Sequence, residues 1–248
     1  MQTKSPNAVG QSSYYHEYFS RGNTFNAVTL FYHARVLRYL RRALPATRAL
    51  TEIGVGFGYI AHLCTQQKIE YNGVEANLEQ AARLNALGFK VDGVSLENLR
   101  PDFVMHECVL LSHVLEHMDG FRAASVFLRQ INERQGAGDH ICIVCPDYLD
   151  MNGNFWDGDW SHGYPTTLRR TSQILRESGY EILTAKHWIG PGWTNPLVVN
   201  SFRLVMRLFP MRALDWLMHD VCKKTPIGFR FMSAFGWRQL IVLARKVT

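Results

Sequence analysis

Apolar residues at Leu30, Ala34, Leu37, Leu40 and Leu44 recur every three or four positions from Asn26 onward, and Pro45 stops the run. This stretch predicts an amphipathic helix ahead of the core. Downstream, short apolar runs alternate with segments of helical period. Strands are predicted at Ala49 to Gly54, Tyr71 to Glu75, Phe89 to Val94, Cys108 to Ser112, His140 to Cys145, Glu181 to Trp188 and Arg238 to Lys246. Helices are predicted between them at Tyr59 to Gln67, Leu78 to Leu87, Gly120 to Glu133 and Thr167 to Glu177. Such alternation predicts an α/β fold: a Rossmann-like, seven-stranded, mostly parallel sheet with helices on both faces.

Two stretches lie outside that pattern. Residues 1–13 are polar, and residues 189–236 interrupt the last two strands. In the interruption Val198, Phe202, Val205 and Phe209 keep helical spacing, as do Leu214, Leu217 and Met218 after Pro210. The expected organisation is an N-terminal helical extension over 1–47, a core over 48–188, a helical insertion over 189–236 and a final core strand over 237–248. Extension and insertion together are expected to form a helical cap.

At 248 residues and 47% hydrophobic content, the chain suffices for one sizeable core with additions. The net charge of +6 is unevenly spread. Residues 1–50 carry seven Lys/Arg against one acid, 51–190 carry eleven against eighteen, and 191–236 carry six against two. Basic flanks on an acidic core suit an anionic substrate, an anionic membrane surface or RNA, and equally a set of solvated helix faces. The five cysteines lack paired spacing, and no leader-like start is present, so a reducing cytoplasm is expected. Cys142 and Cys145 form a CxxC, but strand alternation turns them to opposite faces, which favours a core role over a redox or zinc half-site. Gly190, Pro191, Gly192 and Pro196 break the longest candidate membrane span, and no transmembrane helix is expected.

The chemistry centres on Glu52-Ile53-Gly54-Val55-Gly56-Phe57-Gly58, where the first strand turns into a helix. A doubly wound sheet binds nucleotide-like ligands at that place, and glycines let backbone turn sharply against a ligand. Tyr59 stands where a dinucleotide fingerprint would place its third small residue, which weakens a pyrophosphate reading. An acid leading into the loop better suits a ligand with an amino group and a sulfonium. Glu75 ends the second strand, 23 residues after Glu52, where a carboxylate can accept from both hydroxyls of a ribose.

EIGVGFG, the GVEAN run from Gly73 to Asn77, VSLENL from Val94 to Leu99 and SHVLEH from Ser112 to His117 resemble, in order and spacing, the cofactor-site motifs of class I S-adenosylmethionine-dependent methyltransferases. The last is similar to the small-molecule branch that includes the ubiquinone-biosynthesis O-methyltransferases. The resemblance covers about residues 48–188. It implies S-adenosyl-L-methionine as cofactor and S-adenosyl-L-homocysteine as product. Glu52 and Gly54, Gly56 and Gly58 would lie against the methionine part, Glu75 would hold the ribose, and Ser95 with Leu96 would flank the adenine. Ser112, ending the fourth strand, joins the cofactor set. Family members often have Asp where Ser95 stands.

Methyl transfer from a sulfonium requires an acceptor held in line and deprotonated. His113, Glu116 and His117 follow the fourth strand at what reads as a helix start, where positions i, i+3 and i+4 share a face. His113 is the candidate base. The same three residues have ligand chemistry, but no fourth ligand is visible by spacing, and no metal is expected. His162, in the aromatic and acidic loop 154–162, resembles the family's recurrent histidine before the next helix and is the second catalytic candidate. Neither the Asp/Asn-Pro-Pro-aromatic motif of exocyclic-amine enzymes nor a Pro-Cys nucleophile stands after the fourth strand, which leaves oxygen as the default acceptor. The expected function is methylation of a small, anionic or lipid-like molecule. A protein or RNA methyltransferase and a non-catalytic cofactor-binding subunit are the alternatives; no nucleic-acid module is recognised. Arg203, Arg207 and Arg212 make the insertion either a lid or a peripheral membrane contact.

Overall fold

The computed structural model describes residues 25, 27–100, 102–103, 105–157, 159–189, 195–208, 216 and 237–247. Expectations for 1–24 and for most of 209–236 lie outside the described residues. Seven strands form one sheet: β1 (Ala49–Ile53), β2 (Glu70–Glu75), β3 (Val91–Gly93), β4 (Cys108–Ser112), β5 (His140–Pro146), β6 (Tyr180–Trp188) and β7 (Gln239–Lys246). Their order is β3-β2-β1-β4-β5-β7-β6. All pairings from β3 to β5 are parallel, and β7 runs antiparallel to both β5 and β6. The order reverses between β1 and β4, and at such a switch point the strand ends leave a crevice.

The helices are α1 (Ala27–Ala43), α2 (Tyr59–Gln67), α3 (Leu78–Ala86), α4 (Gly120–Arg134), the short α5 (Tyr148–Met151) and α6 (Asn154–Asp157), α7 (Leu168–Glu177) and α8 (Pro196–Leu208). One sheet face packs on α1 and α2: Val36, Leu37, Leu40, Ile60 and Leu63 meet Leu50, Leu110, Val144 and Leu243. On the other face Leu128, Ile131, Ile174 and Leu175 meet Val109, Leu111, Ile143 and Val242. Strand alternation assigns successive residues to opposite cores, so Cys142 joins the first and Cys145 the second, both buried free thiols. Side-chain caps fix two helix starts, with Asn77 accepting from Gln80 N (3.0 Å) and Thr167 from Arg170 N (3.2 Å).

Three local features differ from the sequence reading. The third strand shrinks to Val91–Gly93, because Gly88 at φ 87 ends α3 and Asn85 bonds Val91 through both its amide atoms, at 2.7 and 3.0 Å. The loop after β5 contains α5 and α6, the first opened by the Asp147 side chain accepting from Leu149 N. SHVLEH forms a single 3-10 turn over Leu115–His117 rather than an α-helix, since His113 lies in the left-handed region at φ 58.

Candidate functional site

The carboxyl ends of β1, β2, β4 and β5 converge on one edge of the sheet. Gly54, Gly56 and Gly58 all have positive φ, at 77, 56 and 81. A Cβ on Gly54 would fall 2.4 Å from Val114 Cγ2, and one on Gly58 would fall 2.6 Å from Leu84 Cδ2, so these two serve close packing. A Cβ on Gly56 would meet nothing within 4 Å, which leaves that turn facing open space. Glu75 binds the turn directly: Gly56 N donates to Oε2 at 3.0 Å and Asn77 N to Oε1 at 2.9 Å. An ionised carboxylate only accepts, so both oxygens face the turn as acceptors. Burial raises the Glu75 pKa, and the backbone donors, Asn77 and Gly56 first, oppose that rise.

Glu52 lies beneath the loop, buried, with Tyr71 Oη donating to its Oε2 at 2.7 Å. Burial pushes its carboxyl up to about 8 against the Tyr71 hydrogen bond, and Glu75 adds to the rise. Ser112 ends β4 buried, with an Oγ that has no hydrogen-bond partner. Ser95 accepts from Asn98 Nδ2 at 3.0 Å, while Leu96 is buried with Ile53, Val74 and Leu111.

On the acceptor side, the turn after β4 and the loop after β5 are stitched together by backbone. Gly163 N and Tyr164 N both donate to Glu116 O, at 2.9 and 3.0 Å. Gly163 permits this approach, since a Cβ there would lie 2.5 Å from Met118 O. His162 is thereby carried to His117, with ring centroids 4.9 Å apart. His113 N donates to Val144 O at 2.8 Å, which ties the ends of β4 and β5 together, and its Nδ1 lies 3.0 Å from Glu116 Oε1. Burial acts to raise the fully buried Glu116 carboxyl, but the His113 hydrogen bond and the charges of His113 and His117 overcome it, and the net shift is downward.

The histidines share a consistent tautomer logic. His162 Nδ1 faces Phe155 O at 2.6 Å, and a carbonyl only accepts, so Nδ1 carries the proton and Nε2 a lone pair. His117 Nδ1 lies 2.8 Å from Ser161 Oγ, whose own proton goes to Asp159 Oδ1 at 2.6 Å, so His117 Nδ1 is the donor to Ser161 and Nε2 is left to face its other neighbours. Burial lowers the His162 pKa, and the neighbouring His117 adds to that. The Oε2 of Glu116 is buried without a hydrogen-bond partner. Glu116, His117 and His162 each offer a ligand atom, all within 4.8 Å of one another. The structure thus groups Glu116 and His117 with His162, whereas the spacing argument grouped them with His113.

Sequence reasoning missed Tyr32, Trp188 and Gln239, which approach His113 from α1 and the β6 and β7 ends. Tyr32 Oη is 3.2 Å from His113 Nε2 and donates to Gln239 Oε1, which also accepts from Trp188 Nε1 at 3.1 Å. Nearby, buried Asp147 pairs with His187 Nε2 at 3.1 Å and Arg238 Nη2 at 3.0 Å, tying β5, β6 and β7 together.

No family model and no curated protein sequence matches the chain. Solved structures do match. A SAM-dependent methyltransferase from Archaeoglobus fulgidus aligns over 86% of this chain and 94% of its own, at 20% identity and TM-score 0.56. The N-methyltransferase NodS from Bradyrhizobium japonicum WM9, in complex with S-adenosyl-l-homocysteine, aligns over 95% and 97%, at 10% identity and TM-score 0.58. The fold is therefore the Rossmann-like fold of methyltransferases. The [4+2]-cyclase SpnF shares it too, over 86% and 80% at 16% identity and TM-score 0.56, so activity has to be argued from the site.

Proposed function

We propose that the chain is an S-adenosyl-L-methionine-dependent methyltransferase acting on an oxygen of a small molecule, with S-adenosyl-L-homocysteine as product. The observation that carries this reading is the Glu75 carboxylate at the end of β2, hydrogen-bonded to the Gly56 N–H of the glycine turn. That contact sets a carboxylate, a group able to accept from a diol, beside a turn whose central glycine faces open space. The orphan Ser112 Oγ at the end of β4 supplies a further polar group that a ligand would satisfy. The cofactor, when bound, supplies a sulfonium methyl for in-line displacement. Glu75 would hold its ribose, Gly54, Gly56, Gly58 and Ser112 its methionine part, with Glu52 supporting the loop from beneath, and Ser95 and Leu96 its adenine edge.

His162 presents a lone pair at Nε2 and stays neutral near pH 7, which suits it to take the acceptor's proton. In His113 both ring nitrogens are engaged, so it orients the site rather than offering a free base. The branch resembling ubiquinone-biosynthesis enzymes, an anionic or lipid-like acceptor, a cytoplasmic setting and a cap built from 1–47 and 189–236 belong to this proposal. The test has two arms. Glu75→Ala should weaken S-adenosylmethionine binding about tenfold or more in calorimetry, since a carboxylate hydrogen bond contributes about 1.5–3 kcal/mol. Labelled S-adenosylmethionine with fractionated cell extract should place label in the small-molecule fraction. Label in protein or RNA would move the acceptor to those classes, and no label at all would favour a non-catalytic binding subunit.

A second reading concerns Glu116, His117 and His162. Three acceptor-bearing groups within 4.8 Å repel unless a proton or a cation lies between them, and the Nδ1 contacts to Ser161 and Phe155 orient both rings as outer-shell partners orient metal ligands. Loss of transfer on chelation, with recovery on a divalent ion, would assign a cation there that positions the acceptor oxygen.

A further inference from the structure

The chain of hydrogen bonds that ends on His113 starts on three elements outside the loops of the proposed site. Trp188 Nε1 can only donate, so at 3.1 Å it fixes Gln239 with Oε1 facing inward. Tyr32 has a single proton and donates it to that same Oε1. The Tyr32 oxygen is thus left as an acceptor 3.2 Å from His113 Nε2. At the other side of the ring, Nδ1 meets Glu116 Oε1 at 3.0 Å. A residue with φ 58 next to the crevice is clamped at both ring nitrogens, one clamp coming from its own turn and the other from α1.

We propose that Tyr32 is a positioning residue for His113. Through it, Gln239 and Trp188 set the orientation of the His113 ring, so the N-terminal helix is part of the methyl-accepting site and not only a cover for the sheet. Burial raises the Tyr32 pKa well above its ordinary value, and the charge of Glu116 adds to the rise, so the phenol keeps its proton; with that proton donated to Gln239 Oε1, the His113 contact is one in which Nε2 donates to Tyr32 Oη. Tyr32 also packs edge-on against Trp188 at 5.6 Å, which holds the phenol in place. The turnover consequence rests on the methyltransferase reading; the geometry of the relay does not.

The experiment uses the full chain, labelled with 15N at histidine, with the His113 ring signals assigned by their loss in His113→Gln. In Tyr32→Phe the His113 Nε2 resonance should move while Nδ1 keeps its Glu116 contact. Gln239→Leu should move the same resonance through Tyr32. Tyr39→Phe, on the same helix as Tyr32, removes a hydroxyl bonded to Thr184 of β6 and should leave that resonance in place. An unmoved Nε2 resonance in folded Tyr32→Phe overturns the proposal. The second arm measures transfer of label from S-adenosylmethionine into the extract fraction that the parent labels. Tyr32→Phe should lower kcat roughly ten- to a hundredfold, as small misplacements do, with cofactor affinity retained. It should add nothing in the His113→Gln background. An equal drop in both backgrounds means that Tyr32 does not act through His113. If the parent binds no S-adenosylmethionine in calorimetry, the methyltransferase reading fails and the ring-nitrogen arm alone still decides the relay.

Discussion

Glu52 shows how one residue reports on both stability and site. Its folded carboxyl is raised to about 8 by burial, against the Tyr71 hydrogen bond. In the unfolded chain it ionises at the ordinary value near 4.5. Between those values the unfolded state has released its proton and the folded state has kept it, so stability falls as pH rises through this window and levels off above it. The unfolding midpoint of the parent should therefore drop from pH 5 to pH 8. Glu52→Gln retains an acceptor for Tyr71 and should flatten the curve, by a difference on the order of a few kcal/mol across the window. Parallel curves for parent and variant would remove Glu52 as the source. The acid was legible in sequence because it leads into the glycine loop; its position under the loop was not, since its partner Tyr71 has no motif of its own. Tyr32 and Gln239 were illegible for a similar reason. Their hydrogen bonds span 81 and 207 positions, and no local spacing encodes such a contact.

At the scale of elements, periodicity located all seven strands and the five longer helices of the extension and core, because each buries a face whose spacing repeats. It overextended the strand at Phe89 to Val94, where the Gly88 turn and the Asn85 side chain claim the backbone groups that a longer strand would have paired. α8 presents a different outcome. Of the predicted row, Val198 and Val205 are described, and Leu197, Leu204 and Leu208 share their side of the helix, while the Phe202 side chain and Phe209 lie outside the described residues. All five described side chains are exposed. Contiguous exposed apolar surface is a feature of interaction sites. If this stripe closes over the acceptor, changing Leu197, Leu204 and Leu208 together to Ser should cut methyl transfer at least about tenfold while cofactor affinity holds, as expected when only acceptor contacts are lost. Sedimentation of the parent with anionic liposomes, abolished in the triple variant, would assign the stripe to a membrane surface instead.

The whole molecule joins an acidic core to basic flanks, and the two parts make separable predictions. Ligand binding to the core should stabilise the fold by linkage, since only the folded chain brings Glu75 to the Gly56 turn. At a hundred times its dissociation constant, S-adenosyl-L-homocysteine should add about 2.7 kcal/mol. For a chain of this size that is a rise in unfolding temperature of roughly 5–10 °C. NAD should produce none, because Tyr59 occupies the place where a pyrophosphate turn needs a small residue. Replacing 189–236 by a short Gly/Ser linker removes six Lys/Arg and two acids but none of the groups at the β1, β2 and β4 ends. The shortened chain should keep the thermal shift and lose methyl transfer. A shift lost together with transfer would mean that the insertion shapes the cofactor site itself. Transfer kept intact would reduce the insertion to scaffold, and a thermal shift with NAD but not with S-adenosyl-L-homocysteine would overturn the cofactor assignment.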